Sequence, residues 1–123
     1  MKALAAVLLS AAPALGGKKE CAEHGERLYV EEPALADIQQ AFKHCRPLAE
    51  NGYGKAQLYM ATVYRFGNAL TARDGAKMME MYEKAAAQGM LPAMQALTEL
   101  YRDTDPAKAG YWKVQLERRG CCR

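Results

Sequence analysis

Apolar and small residues recur at helical spacing in two stretches of the chain. The two stripes consist of Ala56, Met60, Val63 and Tyr64 and of Ala93, Leu97, Leu100 and Tyr101. Residues three or four positions apart lie on one face of an α-helix, so each stripe predicts an amphipathic helix whose apolar face is turned toward the core. We place these helices over 53–66 and 91–102. The strict alternation that is typical of β-strands does not occur, and the pattern as a whole predicts an all-α fold.

Three further helices are predicted from the residues at their ends. Asp74 is an N-cap residue for a helix that ends at Gly89. Asp105 is followed by proline at the first helical position and opens a helix that ends at Gly120. A third helix is expected over 33–52, beginning at a proline and ending at a glycine.

These elements repeat along the chain with a period of 37 residues. The pairs that show this offset are Gly52 and Gly89, Ala56 and Ala93, Tyr64 and Tyr101, and Asp37 and Asp74. A further copy ends at Gly120 after a shorter interval, and the missing residues lie in the loop before Asp105. A fixed period with length changes confined to loops is typical of stacked helical repeats.

The residues at the repeat positions resemble those of a known family. The matching positions are Ala56, Met60, Tyr64 and Gly67, followed by Asp74, Lys77, Tyr82, Lys84, Ala85, Ala86, Gln88 and Gly89. This pattern is similar to the Sel1-like repeat, a relative of the tetratricopeptide repeat. The resemblance covers residues 34–120 and departs from the family at Ala61 and Thr98, where the family usually has glycine, and at Leu116-Glu117, which replaces an Ala-Ala pair. It implies a short α/α solenoid of about five antiparallel helices.

The resemblance also implies a function in protein binding. Members of the family are mostly adaptors and regulators, some of them periplasmic, and others are immunity proteins that neutralise a toxin. The first helix of each pair usually lines the concave face, which here means the helices over 53–66 and 91–102. Opposite their core stripes lie the residues that we predict to bind a partner protein: Leu58, Thr62, Arg65, Gln95, Glu99 and Arg102.

The N-terminus carries the only long apolar run in the chain. Lys2 is followed by seven apolar residues and then by small residues, the pattern of a secretory signal peptide, with possible cleavage sites at Ala14 and Gly16. We therefore expect a periplasmic or secreted protein without a membrane span in the mature chain. The predicted segments are a signal peptide over 1–16, an N-terminal cap segment over 17–32, a repeat domain over 33–120 and a cysteine-containing tail over 121–123.

Four cysteines enter this oxidising compartment, which favours disulfide formation. Helices pack 8–10 Å apart, so the two ends of the array should be separated by roughly 20 Å or more. Bridged cysteines need Cα atoms within about 7 Å of each other. We therefore predict a Cys21–Cys45 disulfide that pins the cap segment over the first helix. The sequence leaves the pairing of Cys121 and Cys122 undecided: these cysteines could be free, bridged between chains or bridged to a partner.

Catalytic and metal-binding residues are sparse. Ser10 is the only serine and lies in the predicted signal peptide, and neither a glycine-rich phosphate loop nor a metal-binding helix motif occurs. Cys21, His24, His44 and Cys45 could form a two-Cys, two-His metal site, but adjacent residues on a helix diverge by about 100°. We predict a non-catalytic protein without a metal or a cofactor.

An enzyme is the rival hypothesis. Some cysteine-rich secreted members of the family are associated with β-lactams, which suggests a penicillin-binding, β-lactamase-like or thiol-dependent enzyme that uses Cys45. The formal net charge of +3 is small and evenly spread, so we expect no nucleic-acid partner. The chain is expected to act as a monomer.

Overall fold

The computed structural model of the chain describes residues 17–67 and 72–120. Within these two ranges the chain forms six α-helices and no β-strand. They are α1 (Lys18–Glu26), α2 (Leu35–Glu50), α3 (Gly54–Phe66), α4 (Gly75–Ala87), α5 (Leu91–Tyr101) and α6 (Pro106–Arg118). The all-α prediction is confirmed for this part of the chain. The predicted signal peptide and the tail with Cys121 and Cys122 lie outside the described residues.

The capping residues read from the sequence lie at the helix ends. The Asp74 carboxylate accepts a hydrogen bond from the backbone N–H of Lys77 at 3.0 Å, and Asp105 accepts one from Lys108 at 3.2 Å. The stop glycines after α2, α4 and α6 have left-handed φ angles: Gly52 88°, Gly89 89° and Gly120 82°. Only glycine adopts this conformation without a steric penalty, which is why these helices end where they do.

The first helix was not expected from the sequence. Residues 18–26 were assigned to a cap segment, because this stretch is rich in charged residues and has few apolar ones. Its buried residues, Cys21 and Gly25, are four apart and share one helix face. A Cβ atom added at Gly25 would lie 2.6 Å from ring carbons of Tyr59 on α3. The close approach to α3 thus makes α1 part of the packed fold, and the described helices number six instead of about five.

Cys21 and Cys45 join α1 to α2. Their sulfur atoms lie at disulfide distance, their Cα atoms are 4.8 Å apart, and both residues are buried. The predicted pairing is therefore present in the structure, and it fits an extracellular location, where disulfides persist. Across the described residues, every helix is too short or too polar to cross a bilayer.

Packing follows the order of the chain. Each helix contacts the next one, and α1 also contacts α3. Two apolar clusters result: the N-terminal cluster is built mainly from α1, α2 and α3, and the C-terminal cluster mainly from α4, α5 and α6. Helix α3 contributes to both, and all of its residues from 56 to 64 are buried. It is therefore the central element of the described fold.

Candidate functional site

Three adjoining cavities cross the molecule from α3 to α6. The first, of about 440 Å³, lies between the segment 28–31 and α3. The second, of about 360 Å³, shares Arg65 and Tyr82 with the first. The third, of about 420 Å³, lies between α5 and α6 and shares Glu99 with the second. Neighbouring cavities share lining residues, and we call the surface lined by the three cavities the groove.

The turn between α3 and α4 shapes the second cavity of the groove. The backbone N–H of Asp74 donates to the carbonyl oxygen of Tyr64 at 2.8 Å, which brings the start of α4 back to the end of α3. Gly67 permits this approach, because its φ is 70° and an added Cβ atom would lie within 3.0 Å of the Arg73 backbone. Arg73 is thereby placed in the same cavity as Arg65.

Tyr29, Thr62 and Tyr82 line the first cavity, and Tyr82 also lines the second. The Thr62 hydroxyl donates a hydrogen bond to the carbonyl oxygen of Leu58 at 3.4 Å. Tyr29 exposes 55% of its surface, yet burial around its hydroxyl, followed by the influence of Tyr82 and Glu26, raises its pKa to about 12. Burial also raises the pKa of Tyr82, against an opposing effect of Thr62 and Arg65. Both phenols are therefore protonated near neutral pH and are able to donate hydrogen bonds.

The charge of the groove changes along its length. The first cavity holds Arg65 and Glu31, and the second adds Arg73 opposite a single described acidic residue, Glu99. In the third cavity the charged residues are balanced: Glu99, Arg102, Lys113 and Glu117. Positive charge is thus in excess only in the middle of the groove.

Five of the six residues predicted to bind a partner line this groove. Thr62 and Arg65 lie in the first cavity, and Gln95, Glu99 and Arg102 lie in the third. The helical pattern of the sequence therefore identified residues that line the cavities of the groove. Their role in binding stays a prediction.

Leu58 is the exception, and its expected position on the solvent side is wrong. It is only 5% exposed and packs in the C-terminal cluster with Ala85, Ala86 and Ala93. The physical reason is that α4 covers the side of α3 that the helical pattern left for solvent. Thr62 is similarly buried, at 6% exposure, although it reaches the wall of the first cavity.

Several residues of the groove were missed by the sequence analysis. Tyr29 lies in the predicted cap segment, Tyr82 is named only as a position of the repeat pattern, and Arg73 directly precedes a helix cap. Lys113 lies on α6, which was not assigned to the binding face. The arginine before the Asp74 cap is a recognisable position, but its proximity to Arg65 depends on the turn geometry.

The cysteines and histidines near the N-terminus form a separate cluster. His24 Nδ1 lies 2.9 Å from the Asp37 carboxylate, and the rings of His24 and His44 are stacked with centroids 6.4 Å apart. The hydrogen bond with His24, with a further effect of Arg27, lowers the pKa of Asp37. Both sulfur atoms are used in the disulfide pair, so neither thiolate remains to ligate a metal as the alternative two-Cys, two-His site would require.

No protein-family model, curated protein or solved structure matches the chain.

Proposed function

We propose that this chain is a small Sel1-like repeat protein that binds a protein partner in the groove and catalyses no reaction. Its helices would form a short solenoid of antiparallel pairs. It would act as a monomer in the periplasm or outside the cell, after removal of the signal peptide. A regulatory adaptor and an immunity protein that blocks a toxin both fit this mode of action.

The contacts at equivalent positions support the repeat. Lys77 lies three residues after the Asp74 cap, and its ammonium group is 5.8 Å from the ring centroid of Tyr64. Lys108 lies three residues after Asp105 and is 5.1 Å from the ring of Tyr101. The same cap and the same cation–π pair thus occur in successive copies.

The small residues of the repeat support it as well. Ala56 and Ala93, which occupy equivalent positions at the starts of α3 and α5, are both completely buried. Stacked repeats bury a continuous core in this way and leave a surface on which partners bind. Contacts that join mainly successive helices are what such a stack requires.

The groove carries the functional proposal. It crosses four helices, and five residues chosen from the repeat register line it. Three neighbouring surface cavities accommodate several side chains of one partner. Protein binding is therefore the function that this geometry favours.

The thiol chemistry of the rival enzyme has weak support. Cys45 is completely buried and is paired with Cys21, so it presents no thiolate for nucleophilic attack while the pair is intact. The described groove contains neither cysteine nor histidine among the residues that line it. We therefore propose that the role of the Cys21–Cys45 pair is structural.

Site-specific photo-cross-linking tests this function. A photoreactive residue at Gln95, exposed in the third cavity, should give a discrete adduct with one protein in the organism that carries the gene. The matched control is the same residue at Glu50, which is exposed on α2 outside the groove. Adducts of equal yield at both positions, or none at Gln95, would contradict binding in the groove.

A further inference from the structure

The middle cavity of the groove has two arginines that form no ion pair with the described residues, although the Arg65 guanidinium lies 5.8 Å from the ring centroid of Phe66. Arg65 and Arg73 line it, and neither guanidinium lies within 4.0 Å of a carboxylate oxygen of the described residues. Some exposed arginines elsewhere form such pairs, Arg27 with Asp37 and Arg46 with Glu50, whereas the exposed Arg118 forms none with the described residues. The planar guanidinium group matches a carboxylate through paired hydrogen bonds. The cavity thus offers two donors of this kind to a group from outside.

Hydroxyl groups extend this set of donors. Tyr82 lines the cavity with the two arginines, and the Tyr29 hydroxyl lies on the neighbouring wall. The wall of the groove therefore combines positive charge with neutral hydrogen-bond donors at the junction of two cavities. Such a combination favours an anionic group with several acceptor oxygens.

Apolar side chains are exposed on both sides of this polar centre. Val30, at the first cavity, is 57% exposed, and Leu100, at the second, is 40% exposed. A chain segment that binds at the arginines would therefore also contact apolar surface in the same and the neighbouring cavity.

We propose that the middle cavity is a subsite for an aspartate or glutamate side chain, carried by an acidic segment of the partner protein and paired with Arg65 and Arg73. This inference rests on the proposed function and names the chemistry of the partner. Apolar residues of the same segment contact Val30 and Leu100 on either side.

The charges at the ends of the groove argue for a protein segment over a nucleic acid. A phosphate backbone carries negative charge at regular intervals along its whole length. It would meet Glu31 in the first cavity and Glu99 and Glu117 toward the third. An acidic residue flanked by neutral or apolar ones places its charge only at the arginines.

The test uses random twelve-residue peptides displayed on phage and selected on the purified, oxidised chain. Peptides recovered by the wild type should be enriched in Asp and Glu next to apolar residues. Each recovered peptide is then synthesised with a fluorescent label, and its affinity is measured by fluorescence anisotropy. The Arg65→Gln, Arg73→Gln double variant should bind about tenfold more weakly, because both charge-assisted pairs are lost.

A matched control separates the subsite from net charge. Arg46 and Arg118 are exposed outside the groove, so the Arg46→Gln, Arg118→Gln variant changes the net charge equally and should retain the wild-type affinity within about twofold. Glu99→Gln removes the acidic residue of the middle cavity and should strengthen binding of the acidic peptides. Circular dichroism and thermal unfolding verify that each variant is folded.

Three results would overturn the subsite. The recovered peptides could lack acidic residues, or they could bind the Arg65/Arg73 variant as tightly as the wild type. A twelve-nucleotide single-stranded DNA could also displace the labelled peptide as effectively as the same peptide without a label. Failure to recover any peptide would also reject an acidic segment as the ligand. Partner binding itself is judged separately by the adduct at Gln95, so the two failures are distinguishable.

Discussion

The N-terminal and C-terminal regions of this protein are held together by different means. In the N-terminal region, α1 is tied to α2 by the Cys21–Cys45 pair and to α3 by a hydrogen bond from the Tyr59 hydroxyl to Glu26. Lys55 adds an ion pair with Glu26 at 3.8 Å. These interactions join residues that are distant in the sequence.

The C-terminal region depends more on local signals. Helices α4 and α6 both begin with an Asp side-chain cap, whereas α1, α2, α3 and α5 have none. The outer side of α6 leaves Tyr111 56% and Val114 43% exposed, so no further element covers this end within the described chain. The comparison teaches that the described helices are stabilised by a cross-link in the N-terminal region and by side-chain caps on two helices of the C-terminal region.

Among the changes that test this comparison, removal of the disulfide should lower the free energy of unfolding the most. In the chain-entropy model, Cys21→Ala with Cys45→Ala costs about 3 kcal/mol, because the unfolded chain is no longer constrained. Thermal unfolding measures the loss, and hydrogen exchange locates it: amides of α1 and α2 should exchange faster, while those of α5 and α6 keep their protection.

Reduction of the double variant is the control for this experiment. It should not lower the melting temperature further, because the bond between α1 and α2 is already absent from this variant. Faster exchange that is uniform across both regions would contradict their separate stabilisation.

Enlarging the small repeat residues should destabilise both regions to a similar extent. Ala56→Leu and Ala93→Leu each add three carbon atoms at a completely buried position, with an expected cost of about 1–3 kcal/mol through overpacking. Urea unfolding of the two variants measures the cost. Ala87→Leu, at an exposed position of α4, is the control and should be nearly neutral. A loss at only one of the two alanines would show that the copies are not equivalent in packing.

Loss of a helix cap should affect the C-terminal region by a smaller amount. Asp74→Ala and Asp105→Ala each remove a side-chain acceptor from a helix N-terminus, which costs about 1 kcal/mol. Asn at the same positions retains an acceptor oxygen and should restore most of the stability in thermal unfolding. Equal losses with Ala and Asn would mean that charge, not the hydrogen bond, stabilises these helix starts.

Acidification should produce the smallest effect, and it concerns the N-terminal region. The pKa of Asp37 is lowered from 3.8 by the hydrogen bond with His24 and by Arg27. Its carboxylate therefore stabilises the fold fully above the ordinary pKa, and this contribution is lost as the pH falls through the lowered one. Asp37→Asn should flatten the dependence of the melting temperature on pH between about 5 and 2. Asp103→Asn, at a side chain that is 89% exposed, should leave the dependence unchanged.

The roles of three aspartates at equivalent sequence positions show which features the sequence predicts and which it does not. Asp37, Asp74 and Asp105 occupy equivalent positions, and two of them cap helices as their sequence context predicts. Asp37 instead lies inside the first turn of α2 and bonds His24 of α1. The sequence does not predict the helix that supplies His24, because its few buried residues are buried only by contact with α2 and α3.

The residues of the candidate site could be predicted from the sequence only where they depend on the pattern of a single helix. Arg65, Gln95, Glu99 and Arg102 follow from helical register, because each lies opposite an apolar stripe on its own helix and is exposed. Leu58 lies on the same predicted face but is buried by α4. The groove is also lined by residues of other elements, Tyr29, Arg73 and Tyr82. No sequence pattern around these residues predicts that position.

The sequence by itself determined the all-α class of the described residues and the helix ends at Asp74, Gly89 and Asp105. These properties depend on backbone conformation and on contacts a few residues apart, so they are encoded locally. The tertiary structure alone decided that residues 18–26 are helical, that α3 is enclosed and that Arg65 faces a cavity shared with Arg73. Each of these depends on which distant segments occupy the space around a helix, and packing, not the local pattern, sets that outcome.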